Sequence, residues 1–224
     1  MNLGYGQHGP ANGMGCFYGM FNKGVDLRFV DSMDNLDAIV LWGGEDISPS
    51  LYNEKPFMRS GPMVPSMRDT FEWECMNAAV KAGIPIIGIC RGAQILCAYA
   101  GGKLIQDVNN HGYGSHEVTV VGGGTFVTTT CHHQMMYPYD VSHELLAWST
   151  NHRATEYNPP TTEHAVSMRM HLDKEAEVVY FPEINGFAIQ CHPEWHTHGS
   201  ELSFNRWMIE QIKNKSFSTV KQEC

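Results

Sequence analysis

Residues 84–94 read IPIIGICRGAQ, and this stretch decides the architecture. IPIIGI, residues 84–89, is short and continuously apolar, as expected of a strand covered on both faces in a parallel sheet. Gly88-Ile89-Cys90-Arg91-Gly92 follows at the point where that strand must turn into a helix, predicted over Gly92 to Ala100 and stopped by Gly101-Gly102. A G-x-nucleophile-x-G turn is tight. Its glycines leave room for strained backbone, and it thrusts the central side chain out at the carboxyl end of the sheet. A cysteine placed there meets the free amides and dipole of a helix N-terminus, which favour the thiolate. The same amides, that of Arg91 first, can receive an oxyanion.

The rest of the pattern fits an α/β layered domain. Upstream, Asp69 with Glu72 reads as a capping-box start. Phe71, Cys75, Met76, Ala79 and Val80 then recur at helical spacing up to Gly83. Val25 to Val30 and Asp37 to Trp42 read as short strands, the second ending in Gly43-Gly44, where backbone could approach a ligand closely. Residues 45–68 hold four prolines and read as loop; the first 24 residues hold seven glycines and read as loop with at most one short helix. Downstream, His116 to Val121 and Thr125 to Thr130 flank a triple glycine as a β-hairpin. Val178 to Phe181 and Gly186 to Gln190 are two further strands, and Ser200 caps a final helix bearing Phe204, Trp207, Met208 and Ile212 on one face.

A nucleophilic cysteine requires a base, and the base an orienting group. With 12 histidines in the chain a lone histidine carries little information. His192-Pro193-Glu194 stands out because it follows the apolar run GFAIQ and puts an imidazole and a carboxylate two residues apart at a strand end. Glu194 can then hold the ring while His192 faces the thiol. His192, Glu194, His196 and His198, with His132 and His133 elsewhere, also invite a zinc reading. Their spacing is not that of H-E-x-x-H, and Pro193 opposes a helix there, so no metal and no other cofactor is expected.

Composition sets the remaining bounds. The 224 residues, 42% apolar and 17% charged, suit one globular domain over residues 1–224. A formal charge of −9 opposes a nucleic-acid footprint. No run approaches the roughly 20 apolar residues that span a bilayer, and the N-terminus lacks signal-peptide character. The seven scattered cysteines read as reduced thiols in a cytoplasmic protein. Cys75 and Cys97 fall on helix faces and read as core.

Taken with LWGGEDISPSLY, RDTFEWECMNAAVKAGIPIIGICRGAQILCAYAGGKLIQDV, SHEVTV, CHHQ and QCHPE in that order, the chain from about residue 38 to 212 resembles the class I glutamine amidotransferase superfamily. It is most similar to the stand-alone branch of γ-glutamyl hydrolases and peptidases. The resemblance implies a flavodoxin-like open, mostly parallel sheet with helices on both faces, a small added β-hairpin, and a site at the carboxyl ends of the strands. It implies Cys90 as nucleophile, His192 as base and then acid, and Glu194 as orienter. It further implies Gly43 or Gly44 with Arg91 as oxyanion donors, and Gln94 and His133 at the substrate. The substrate would be a γ-glutamyl amide cleaved through a thioester, or glutamine, whose ammonia would pass to a separate synthetase subunit. The alternative classes are a zinc hydrolase and an inactive binding scaffold. The glycine-rich start departs from the family's opening strand and helix, and Trp42 stands where a proline commonly precedes the paired glycines.

Overall fold

Short strands rich in Ile, Val and Leu build the sheet of this computed structural model, which describes residues 2–5, 26–29, 32–57, 60–149, 154–158, 174–196 and 199–217. The first four strands are Asn2–Tyr5 (β1), Asp26–Phe29 (β2), Ala38–Leu41 (β3) and Ile86–Ile89 (β4). There follow Lys103–Ile105 (β5), Asp107–Val108 (β6), Gly114–Val120 (β7), Thr125–Thr130 (β8), Met135–Tyr137 (β9) and Glu144–Ser149 (β10). Tyr157–Asn158 (β11), Glu175–Phe181 (β12) and Gly186–Ile189 (β13) complete the series. Among the described residues three α-helices accompany them: Met67–Ala82 (α1), Arg91–Tyr99 (α2) and Gly199–Ser216 (α3).

Nine strands form one sheet in the order β2-β1-β3-β4-β13-β12-β10-β7-β8. The first five run parallel, and the remainder are antiparallel. The parallel half has the strand order of a flavodoxin-like sheet, whose ligand crevice lies beyond the carboxyl ends of its strands. Side chains alternate across it. Ala38, Val40, Ile87, Ile89 and Phe187 pack on one face with Phe204, Met208 and Ile212 of α3. Ile39, Leu41, Ile86 and Ala188 pack on the other with Met76 and Ala79 of α1 and Leu96 of α2. The expected open α/β layering with helices on both faces is therefore what the chain adopts, because strands covered on both sides need apolar residues at every position.

Four local expectations are corrected. The N-terminal stretch is not loop from its start: Asn2–Tyr5 is a strand pairing with both β2 and β3, although its glycine and asparagine are poor strand formers. The remainder of that glycine-rich start, and the short helix allowed for it, lie outside the described residues. Helix α1 is capped by Ser66, not Asp69. The Ser66 hydroxyl accepts the Asp69 N–H at 3.0 Å and the Asp69 carboxylate accepts the Ser66 N–H at 2.9 Å, so Asp69 is the third helical residue of the capping box. Ser200 already lies inside α3 rather than capping it. The hairpin β7–β8 is no appendage: β10 pairs with β7 and β12, making the hairpin the edge of the main sheet.

Candidate functional site

Three neighbouring parallel strands end at the same edge. β4 lies between β3 and β13, with Gly88 opposite Leu41 and Ile89 opposite Ile189. The residues just past those ends, Gly43, Cys90 and His192, are thereby brought together from positions far apart in the chain. Cys90 adopts φ 52°, ψ −108°, a positive-φ conformation outside the left-handed helical region that costs about 1–3 kcal/mol for a side chain with a Cβ. The backbone N–H of Cys90 is tied to the Ile189 carbonyl at 2.7 Å, which helps hold that conformation. Gly88 and Gly92 permit the elbow: a Cβ on Gly88 would collide with the Gly92 carbonyl, and one on Gly92 with the Leu41 carbonyl.

His192 is held on three sides. Its Nδ1 bonds Glu194 Oε1 at 2.7 Å, which places the proton of that nitrogen toward the carboxylate. The indole of Trp195 stacks on the ring, with centroids 3.8 Å apart and planes 2° from parallel. The Gly43 backbone covers it so closely that a Cβ there would stand 3.2 Å from His192 Cε1 and 3.5 Å from Cys90 Cβ. Burial lowers the basicity of this imidazole, but hydrogen bonds to Cys90 and Glu194 and their negative charges outweigh it, raising His192 to about 10. Trp195 escaped the sequence reading. Its signal was only its place next to Glu194, and stacking requires the turn formed by Pro193–Trp195.

The loop after β3 is set by a buried charge network. Arg91 reaches Asp69 at 2.5 Å and Glu72, and Glu72 also binds Arg68 Nε at 2.8 Å. Arg68 in turn donates to the Trp42 carbonyl at 2.8 Å and to the Gly43 carbonyl at 3.2 Å. With their carbonyls held this way, the peptides of residues 42–44 have a defined orientation beside Cys90. Gly44 has φ 153°, and a Cβ on it would run into Arg68. The side chain of Arg91 is thus structural, while its N–H begins α2, among the amides that have no acceptor within the helix.

A cavity of about 450 Å³ adjoins the site, lined by Gly43, Gly44, Glu45, Asp46, Ser66 and Arg68 among others. Cys90 and His192 are not on its wall; Gly43, packed against both, links it to them. His133 bonds Asp46 at 3.0 Å and so borders this cavity through a carboxylate. Gln94 is buried, and its side-chain amide donates to the Gln134 carbonyl at 2.9 Å. Of the histidines weighed for zinc, His196 is occupied by Asn205 at 2.7 Å and Thr128 at 3.1 Å, away from the His192–Glu194 pair. His198 lies outside the described residues. Cys75, Cys90, Cys97, Cys131 and Cys191 are free thiols, and no helix among the described residues is long and apolar enough to cross a membrane.

An open α/β sheet with a cysteine elbow, a carboxylate-paired histidine and a glycine loop at its carboxyl edge defines a class I glutamine amidotransferase-like protein. The chain belongs to the Peptidase C26 family, whose model matches residues 24–194. Over 87 residues it is 45% identical to the glutamine amidotransferase-like protein YvdE of Lactococcus lactis, a match covering 36% of each chain, so it spans about a third of that relative's length. Protein NtpR of Enterococcus hirae is 29% identical over 75% of this chain and 70% of its own. Among solved structures, a glutamine amidotransferase from Thermotoga maritima superimposes with a TM-score of 0.56 at 13% identity, covering 100% of this chain and 86% of that one. PurLQS of the same organism gives 0.57 at 16% identity, covering 94% and 97%.

Proposed function

We propose that the protein is a cysteine-dependent hydrolase of γ-glutamyl amides, working alone and releasing glutamate. The observation that carries this reading is the strained Cys90 elbow with His192 hydrogen-bonded to it and locked by Glu194, Trp195 and Gly43. In the first half-reaction the Cys90 sulfur attacks the γ-carbonyl carbon, and the N–H groups of Arg91 and of Gly43 or Gly44 receive the oxyanion. The tetrahedral intermediate collapses as His192 protonates the departing amine, leaving a γ-glutamyl thioester. Water then attacks that carbonyl, His192 takes its proton, and the carbon–sulfur bond breaks to release glutamate. The carboxylates of Glu45 and Asp46 in the adjoining cavity suit the α-ammonium of a glutamyl group. Gln94 acts through the Gln134 carbonyl it holds, and His133 through Asp46.

A second reading has specific support. Relatives include the synthase subunit PurQ of Haloquadratum walsbyi, so glutaminase activity serving a separate synthetase is the alternative. Both readings share the thioester and differ in the leaving amine. The test is glutamate release from glutamine and from a panel of γ-glutamyl amides. We expect some γ-glutamyl conjugate to be cleaved at least about tenfold more efficiently than glutamine, a gap of about 1.4 kcal/mol in transition-state binding. Glutamine as best substrate, or activity only with an added synthetase, would favour the alternative.

Arg68 offers a further check, since it touches the loop carbonyls but not the reacting atoms. Arg68→Met is expected to lower kcat roughly tenfold or more with a smaller change in KM, because oxyanion donors act only in the transition state. It should also lower stability by about 1–3 kcal/mol, since Glu72 loses one of its two buried partners. Arg68→Lys should restore part of the stability and little of kcat, because an ammonium cannot span both carbonyls and the carboxylate. An unchanged kcat in Arg68→Met would remove Arg68 from that role.

A further inference from the structure

A second cluster of chemistry-bearing side chains lies behind His192, and the mechanism above uses none of it. His111, His132 and Glu177 are buried and bring one ligand atom each to within 4.8 Å of one another. His132 Nδ1 faces the Gln134 carbonyl at 2.9 Å and so carries the proton, which leaves Nε2 as a bare lone pair. That Nε2 is fully buried and has no partner, on a side chain 8% exposed. Glu177 is 0% exposed; its Oε1 accepts from His116 Nε2 at 2.7 Å, while Oε2 is buried with no partner. Nε2 of His111 is committed to Glu175 at 3.2 Å, its Nδ1 has only a long 3.5 Å contact with the Thr130 hydroxyl, and its ring stacks on His132 with centroids 4.7 Å apart.

As an apolar-core network this arrangement is defective. A carboxylate removed from water needs its oxygens satisfied, and a buried imidazole lone pair needs a donor. Glu175 and Glu177 place two buried carboxylates together, and among the described residues neither is paired with Lys or Arg. The defects share one remedy. Two imidazole nitrogens and one carboxylate oxygen converging from separate segments are the donor set for a divalent transition metal ion. The outer contacts fit as well: ligating histidines characteristically donate their other N–H to a carboxylate or a backbone carbonyl, as His111 and His132 do here to Glu175 and Gln134.

We propose that His111, His132 and Glu177 bind a divalent transition metal ion of the zinc type, distinct from the Cys90 site and serving to brace the fold. The ion joins β12 to the loops that precede β7 and β9. The second of those loops also carries the Gln134 carbonyl that holds Gln94 of α2. Its effect is therefore on stability and on the rigidity of the sheet edge beneath His192, whose own backbone bonds Thr129 of β8 at 2.7 Å.

The test uses the full chain, stripped with chelator and titrated with Co²⁺ and then Zn²⁺, with Cys90→Ser in parallel to remove the buried thiol at the carboxyl edge of the sheet. The expected result is one Co²⁺ per chain, with visible ligand-field bands but no near-ultraviolet thiolate charge-transfer band. Zn²⁺ should displace it and raise the unfolding temperature, as any ligand specific for the native state does. His132→Gln and Glu177→Gln should each weaken binding at least about tenfold. Failure of the intact chain to take up stoichiometric Co²⁺ overturns the proposal, whatever the variants do. So does a thiolate band that disappears in Cys90→Ser, or His132→Gln protein that binds as tightly as the parent. Should the variants not fold, the stoichiometry and spectrum of the intact chain decide.

Discussion

Replacing Cys90 by serine or alanine is expected to abolish glutamate release, by at least about 10⁴-fold, while the protein still folds. The size of the loss follows from the unit character of a nucleophile and its base: once the sulfur is gone, only binding and the oxyanion donors remain. The fold should survive because the strain at Cys90 is a backbone property, maintained by Gly88, Gly92 and the hydrogen bond to Ile189, and both replacements are small. Circular dichroism and thermal unfolding check the fold; a glutamate assay checks the chemistry. Near-parental glutamate release from either variant would sink the assignment. Thiol alkylation gives an independent readout. Burial pushes the Cys75 thiol up to about 11 and Cys97 up to about 12, and holds Cys191 well above the ordinary range. The competitor among the described cysteines is therefore the exposed Cys131. Peptide mapping should find Cys90 labelled before it, and the reverse order would count against an activated Cys90.

His192→Asn should cost nearly as much as Cys90→Ala, since removing either member disables the same step. Glu194→Gln should be milder, about 10–100-fold, because the amide can still accept from Nδ1 but no longer stabilises the imidazolium. The pH profile separates the two roles. Burial opposes protonation of His192, while Cys90 and Glu194 together raise it to about 10. The proton needed by the leaving amine is thus present at neutral pH and lost as pH rises through about 10, giving an alkaline limb there. The linkage has the same sign for stability. A group raised on folding stabilises the native state fully below its ordinary value, and that contribution disappears as pH climbs toward the folded one. In Glu194→Gln one of the raising influences is gone, so the alkaline limb should move to lower pH. An unmoved limb, or a defect equal to that of His192→Asn, contradicts an orienting role for Glu194.

The local chemistry of the site was legible in the chain because it is encoded over short spans. The G-x-C-x-G turn between an apolar run and a helix, and the His-Pro-Glu tripeptide after a second apolar run, each specify their own backbone within a few residues. Ser66 was missed as the cap because Asp69 and Glu72 show the same i, i+3 spacing as Ser66 and Asp69. Only the bond from the Ser66 hydroxyl to the Asp69 amide separates them. The strands β5, β6, β9 and β11 have only two or three residues, too few for period-2 alternation to register.

By itself the sequence determined the open α/β class, the elbow, and which cysteine and which histidine to pair. Tertiary structure alone decided three things. It set Trp195 flat against His192, chained Arg68, Glu72 and Arg91 to the carbonyls of the glycine loop, and gathered His111, His132 and Glu177 from three distant segments. The physical reason is one of range. Propensity, capping and turn chemistry act over a few residues and leave a periodic trace. Buried polar groups instead find partners by proximity across the fold, as His111 and Glu175 do at a separation of 64 residues, where no local pattern records which histidine meets which carboxylate.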